Sequence, residues 1–411
     1  MVTYPNDWRT YTFDQMFQLY PNNTLSRDKL SEHGTIGNVH YGDVLIKYGA
    51  ILTERDSIPR IKPKHESAAK SWLRENDVII ADTAEDETVG KVVQIGSIPF
   101  PLVGGLHTIV CRPLIQTATG YLGYYMNSKE YHDQLLPYIT GIKVSSISKT
   151  SIRKTEIHIP TSIDEQSAIV KVISDFDVTI ANLSELIQKK KAIRDGVLED
   201  LVGGKKRLAG FDSEWTDTTI NKITKEIITG GTPSTSHLEF WGGTIPWLAS
   251  TEIHQKLINH ETTNITELGL LKSSAKIVPE KSVLIALAGQ GKTRGTAAYL
   301  LRPMAINQSL AALVTDENTS SKFLFYLMEN MYFPLREFSS GDGGRGGLNK
   351  KLLRSVEIHI PSDIREQEAI AGVLTEMDTE ISNLETETEK MIQIREGAMD
   401  DLLTGKVRLS V

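Results

Sequence analysis

The stretch ALAGQGKTRGTA, Ala286 to Ala297, holds the residue types of a phosphate cradle. Such a loop needs G-x-x-x-x-G-K-[ST] between a strand and a helix, so that backbone N–H groups approach the phosphates and a lysine pairs with them. Gly291, Lys292 and Thr293 match the end of that pattern, but Ala286 stands where the first glycine belongs. SVLIAL before it reads as a buried strand, and RGTAAYLL after it reads as a turn into a second strand rather than an amphipathic helix. The fit is partial, and a nucleotide hydrolase is the weaker reading. Other chemistries have less support. Cys111 is the single cysteine, which excludes an internal disulfide and a cysteine-rich zinc site. The ten histidines show no H-x-x-x-H or comparable clustering, so no metal site is expected. There is no N-P-P-[YF] or D-P-P-[YF] motif for amino methylation and no glycine-rich S-adenosylmethionine loop after a first strand. PEK at Pro279 to Lys281 is a poor nuclease match without a preceding aspartate pair. These gaps favour a reader over an enzyme.

At 411 residues and 40% hydrophobic content the chain has room for two or more globular units. No apolar run approaches the ~20 residues of a membrane span, and the start MVTYPNDWRT lacks a signal pattern, so a soluble cytoplasmic protein without a membrane partner is expected. The net charge of −7 argues at first against a nucleic-acid partner. Its location changes that. Residues 1–150 carry −1, 151–208 carry +1, 209–350 carry −1, and 351–411 carry −6. The two large segments are near neutral, and a neutral domain can still present a basic face.

The strongest feature is an internal repeat. TEIHIPTSIDEQSAIVKVISDFDVTIANL from Thr155 matches VEIHIPSDIREQEAIAGVLTEMDTEISNL from Val356, without a gap and with about half the positions identical. The same offset of 201 residues aligns GKKRL from Gly204 with GKVRL from Gly405. Outside this block the match drifts: Tyr4 and Trp8 align with Phe211 and Trp215 at 207, and NDVIIA from Asn76 with KSVLIA from Lys281 at 205. The counterpart of LAGQGKTRGTA is then DTAEDETVGKV, which keeps Gly90 and has no lysine-threonine loop. A duplicated structural turn explains both copies; a phosphate site explains one.

The gap-free blocks read as helices. Ser162 with Glu165, and Asp363 with Glu366, have capping-box spacing. Apolar residues follow at Ile169, Ile173, Phe176, Ile180, Leu183 and Ile187, and at Ile370, Leu374, Met377, Ile381 and Leu384, steps of three and four that make a coiled-coil seam. Each helix should run to Gly203-Gly204 or Gly405, roughly 40 residues or ~60 Å. The obvious partner of each helix is the other, antiparallel, with a globular domain at each end of a dumbbell. Arg194 and Arg395 fall in register within the seam, beside Gly196 and Gly397, each costing ~1 kcal/mol against alanine. A solvated distal turn is the plain reading of these four. A close helix crossing or a surface for another protein is the sharper one.

Globular segment, helix, globular segment, helix, with IHIP…EQ opening each helix and LTGKVRL closing the second, resembles the DNA specificity subunit of a type I restriction-modification system over essentially the whole chain. The resemblance implies an α+β fold: two mixed α/β target-recognition domains separated by two long antiparallel coiled-coil helices, with a pseudo-two-fold internal repeat. The domains expected are 1–150 and 209–350, the spacer helices 151–208 and 351–411. It implies a non-catalytic subunit that reads a bipartite double-stranded DNA target, one half-site per domain, and docks two methyltransferase subunits, with restriction and translocase subunits as further members. No cofactor is expected in this chain; S-adenosylmethionine, ATP and magnesium belong to the partners. A reader pair ~60 Å apart matches on the order of one and a half to two turns of duplex.

Donor-rich loops supply the candidate DNA contacts. In the second domain these are Gln290, Lys292, Thr293 and Arg294 in GQGKTRG, then Arg345, Asn349 and Lys350 in SSGDGGRGGLNK. In the first they are Thr88 and Lys91, then Lys143, Ser145, Ser146 and Lys149 in TGIKVSSISK. Arginine or lysine on guanine and glutamine or asparagine on adenine would be the specific modes, while many contacts would only position phosphates. For any one of them an ordinary solvated loop is the competing reading, and Asn307 and Gln308 read as structural. QKKKAIR, Gln188 to Arg194, is either a solvated helix face or a phosphate contact across the spacer; the acidic ETETEK of the second helix reads as facing protein or solvent. The alternative from a different class is a coiled-coil adaptor with two ligand-binding heads and no DNA role.

Overall fold

A computed structural model describes residues 4–141, 143–289, 291–338 and 347–409. The chain forms two compact units, one of Met1–Ser184 with Thr386–Val411, the other of Glu185–Glu385. Each unit therefore contains one globular segment, the first half of one long helix and the second half of the other. The helices span Ile163–Val202 and Ile364–Leu403, 40 residues each. Among the described residues no helix is long and apolar enough to cross a membrane.

A five-stranded sheet centres each unit. In the first unit the strands lie in the order Phe17–Tyr20, Thr108–Pro113, Val78–Ala81, Val92–Ile95, Ile51–Leu52. In the second the order is Thr224–Thr229, Leu310–Thr315, Val283–Ala286, Ala297–Leu300, Leu257–Ile258. Sequence order, pairing and direction agree: all neighbours are antiparallel except the last pair, which is parallel. VIIA and VLIA are apolar at every position because the sheet is buried on both faces, and the two-residue strand period deals alternate side chains into two cores. Val283 and Ile285 enter the core shared with the long helices, while Leu284 and Ala286 enter the one shared with a second sheet. Val78 and Ile80 divide from Ile79 and Ala81 in the same way.

The second sheets have four strands and differ. The first unit has the order Leu102–Gly104, Gly37–Val39, Arg60–Ile61, Leu30–Ser31; the second has Thr263–Ile265, Trp241–Leu248, Met304–Ile306, Lys276–Val278. Both contain one parallel pair, but the remaining strands add on one side of it in the first unit and on both sides in the second.

EIHIP does not open the helix. In both copies it is a strand, Glu156–Pro160 and Glu357–Pro361, antiparallel to Trp8–Thr12 and Trp215–Thr219, with Trp8 opposite Pro160 and Trp215 opposite Pro361. The capping boxes also form only in part. The Ser162 hydroxyl accepts from the Glu165 amide at 3.2 Å, and the Asp363 carboxylate accepts from the Arg365 amide at 2.9 Å. The glutamates do not reach back to their caps, because the closing motif of the other helix takes them. Arg207 makes a two-pronged bond to Glu366 at 2.9 and 2.6 Å, and Arg408 binds both Glu165 and Asp7. A charge-assisted bidentate pair outweighs one bond from a neutral amide. The neighbouring glutamines are buried and bridge loops: Gln166 accepts from the Ala118 amide and donates to the Pro160 carbonyl, both 2.8 Å, and Gln367 does the same between Ser320 and Pro361 at 2.9 Å. Gly204 and Gly405 end the helices in the left-handed region, at φ 69° and 72°. A side chain there would also meet Trp215 or Pro5.

The seam is uneven in burial. Its ends sit in the globular cores, Ile169 and Ile173 with Met399 and Leu403 in one unit, Ile370 and Leu374 with Leu198 and Val202 in the other, so each core holds antiparallel halves of the two helices. Arg194 and Arg395 are not in a solvated turn. Arg194 is buried on Asp378 and Glu329, and Arg395 pairs with Asp177. No close crossing explains Gly196 and Gly397, since nothing lies within 4 Å of a β-carbon at either. The basic turn is partly spoken for: Lys190 pairs with Glu380 and Lys191 with Glu385, each at 2.7 Å, so the first residue of the acidic ETETEK run faces lysine.

Candidate nucleic-acid interface

Both copies of the strand-turn-strand close by the same backbone bonds. The Gly90 amide donates to Ala81 at 2.9 Å and Lys91 to Thr88 at 3.0 Å; the Gly295 amide donates to Ala286 at 2.9 Å and Thr296 to Thr293 at 3.0 Å. Gly90 and Gly295 supply φ of 92° and 84°, values a side chain strains to adopt. GQGKTRG therefore lies in a hairpin connection between the antiparallel strands Val283–Ala286 and Ala297–Leu300, with no helix behind it to cradle phosphate.

A second loop, distant in sequence, reaches the start of each turn. Ser145 and Ser146 pair with Ala84 and Thr83, and the Ile147 amide donates to Asp82 at 2.9 Å. At the matching place in the second unit the Leu348 amide donates to Leu287 at 3.0 Å. Short helices follow at Lys149–Ile152 and Lys350–Ser355, capped by Ser148 and by Asn349, whose side-chain oxygen accepts from the Leu352 amide at 3.0 Å. The fold thus brings the two donor-rich loops of each domain together on one end of its five-stranded sheet.

The side chains divide by use. Lys143 and Lys149 are exposed; Ser145 and Ser146 are half-buried in their two-residue strand. Thr88 donates to Asp86, and Lys91 turns inward, its ammonium 2.8 Å from the Leu45 carbonyl and held below the usual lysine range by burial. Both stiffen the first turn. In the second, Lys292 is exposed, the Thr293 hydroxyl is 3.1 Å from His254 Nε2, and Arg294 is half-buried. Lys350 is half-buried at its helix start. Gln290 and Arg345 lie outside the described residues. Asn307 is buried and accepts from the Ser309 amide, and Gln308 accepts from Thr232.

Sequence reasoning missed the residues that carry the second turn. The Tyr332 hydroxyl donates to the Lys292 carbonyl at 2.9 Å, and Arg336 donates to the Arg294 carbonyl at 3.0 Å and to Tyr332 at 3.2 Å. In the first domain His107 lies 3.3 Å from both Asp82 and Thr83. A lone Tyr-x-x-x-Arg forty residues downstream carries no local signal, whereas the loop's own composition does.

Comparison with known proteins accords with this architecture. The family model of the type I restriction modification DNA specificity domain matches residues 5–191 and again 212–393. A Methanocaldococcus jannaschii protein named as the type I restriction enzyme MjaX specificity subunit is 26% identical over 361 residues, 84% of this chain and 82% of the relative. The Escherichia coli EcoR124I/EcoR124II specificity subunit is also 26% identical, over 61% of this chain and 62% of its own. Two solved structures share the fold. They are the S subunit of a type I restriction-modification system from M. genitalium, at TM-score 0.60 and 15% identity, and the HsdS subunit of Thermoanaerobacter tengcongensis, at 0.51 and 17%, each alignment covering 98% of both chains. The chain belongs to the type I restriction-modification DNA specificity family and carries the family's domain twice.

Proposed function

We propose that this chain is the non-catalytic reader of a type I restriction-modification complex. It recognises a bipartite double-stranded DNA target with one half-site per globular domain, and it docks two methyltransferase subunits. The observation that carries this reading is the contrast within the repeat: the same five-stranded sheet twice, different second sheets and different turn chemistry, and two helices of identical 40-residue length. Base readout depends on a few surface side chains, so divergence on a constant sheet suits two unlike half-sites. Equal helices without insertions suit a fixed unread spacer, because one added residue would rotate and displace a reader by ~1.5 Å. Lys143 and Lys149 in the first domain, and Lys292, Thr293, Arg294 and Lys350 with Gln290 and Arg345 in the second, are the proposed donors to DNA. Thr88, Lys91, Ser145, Ser146 and Asn349 act mainly by shaping those loops. Methylation and cleavage, and the S-adenosylmethionine, ATP and magnesium they require, lie with the partners.

The test is to assemble the chain with its methyltransferase subunit on random-sequence DNA and to sequence what is protected. Two short motifs at a fixed separation are expected; one uninterrupted motif sinks the reading. Deleting four residues from each helix should change the tolerated spacing. DNA affinity that ignores salt concentration would favour the adaptor, since phosphate contacts release counterions.

A further inference from the structure

The internal repeat allows one side-chain cluster to be read against its own copy. In the second unit Arg194 donates from Nε to Asp378 at 2.8 Å and from Nη2 to Glu329 at 2.5 Å; Lys256 is also 2.5 Å from Glu329, and the Tyr326 hydroxyl donates to Asp378 at 2.9 Å. The first unit repeats most of this. Arg395 donates from Nε to Asp177 at 2.5 Å, and the Tyr124 hydroxyl donates to Asp177 at 2.7 Å. Three residues beyond each tyrosine the copies part. Glu329 in one is Asn127 in the other.

Asn127 does not substitute for the glutamate. Its amide turns to the sheet edge, accepting from the Val92 amide at 2.9 Å and donating to the carbonyls of Val92 at 2.7 Å and Gly123 at 2.8 Å. Arg395 keeps Asp177 as its one carboxylate partner among the described residues, and its side chain is 25% exposed where that of Arg194 is 5%. A cavity of about 750 Å³ opens beside it. The walls include apolar Tyr48, Ala50, Met126 and Met399, with Lys91 and His132 as further cationic groups. Glu396 and Asp400 also line it, and Asp400 is bound by Lys406. The second copy shows what a guanidinium in this place binds when fully paired: two carboxylates.

We propose that this cavity takes a carboxylate-bearing ligand with an apolar body, its carboxylate meeting Arg395 as Glu329 meets Arg194. The site lies within one unit and is independent of the DNA-reading assignment. The carboxylate comes either from a free small molecule or from an acidic side chain of a partner protein.

Methyl NMR of the full chain with 13C-methyl methionine tests it, the Met126 and Met399 signals being assigned by substitution to leucine. Hexanoate and 3-phenylpropanoate should shift both signals saturably, and the matching amides should bind at least tenfold more weakly. Asn127→Glu, which installs the repeat's own carboxylate, should abolish the response. Gly49→Phe provides a second block at an exposed wall position where nothing lies within 4 Å of a β-carbon. No saturable shift, equal shifts from acids and amides, or parent-like binding by both variants would overturn the proposal. In the assembled complex, signals already at the bound position and insensitive to 3-phenylpropanoate identify a partner side chain as the source; continued binding of the probe identifies a free ligand.

Discussion

The five-stranded sheets of the two units agree strand for strand in order and direction, while the four-stranded sheets behind them add their outer strands differently. The same split runs through the charges. The closing arginines Arg207 and Arg408 grip Glu366 and Glu165 alike, whereas Arg194 sits in a closed network and Arg395 on a single carboxylate beside a cavity. The copies have kept what ties each globular segment to its helices and have changed what faces outward or lines a wall. A duplicated scaffold tolerates such change because loop and edge residues contribute little to the buried core.

Four experiments break or sharpen that contrast. The largest effect is expected from Arg194→Met, which strands Glu329 and Asp378 in a mostly buried place and should destabilise its unit by about 3 kcal/mol; Arg395→Met should cost about 1 kcal/mol. Urea unfolding followed at Trp215, Trp241 and Trp247 for one unit and at Trp8 and Trp72 for the other separates them, and equal losses would erase the asymmetry. Arg207→Gln and Arg408→Gln come next. Each should lower the melting temperature of its own unit by about 5 °C, and calorimetry showing one far costlier than the other would mean the locks are not equivalent.

A pH dependence follows from Glu329. Burial alone would raise its carboxyl, but Arg194 and Lys256 outweigh this and hold it below the usual glutamate range. A group with a depressed folded pKa stabilises above its unfolded value, about 4.3, and loses that contribution as pH falls through the folded one. The second unit should therefore weaken in acid by a step that Glu329→Gln removes; an unchanged profile in the variant would refute the assignment. The smallest effect separates the two turns. Lys292→Ala should reduce the slope of log affinity for DNA against log salt by about 1, and Lys91→Ala, whose ammonium is spent on Leu45, should leave it unchanged. Equal slopes for both variants would make the turns alike.

Much of the scaffold was legible in the residue order. Three- and four-residue spacing, a capping hydroxyl and a terminal glycine marked helices to within a residue or two, and VIIA and VLIA marked buried strands on either side of a turn. The strand character of EIHIP was hidden by its closeness to the helix start: five residues are too few for periodicity to decide, and its partner lies about 150 residues earlier. The capping glutamates misled for a related reason. Ser-x-x-Glu spacing states what the carboxylate can reach locally and says nothing of Arg408, 243 positions away.

By itself, the sequence determined the duplication, the two equal helices and the glycine-bearing turn, because backbone bonding and side-chain period act over a few residues and leave their pattern in the order of the chain. Only the tertiary structure decided which charges meet, which lysine faces outward and which arginine is left beside a cavity. An ion pair or a wall requires approach to about 3–4 Å between groups far apart in the chain, and that approach is set by strand order and packing.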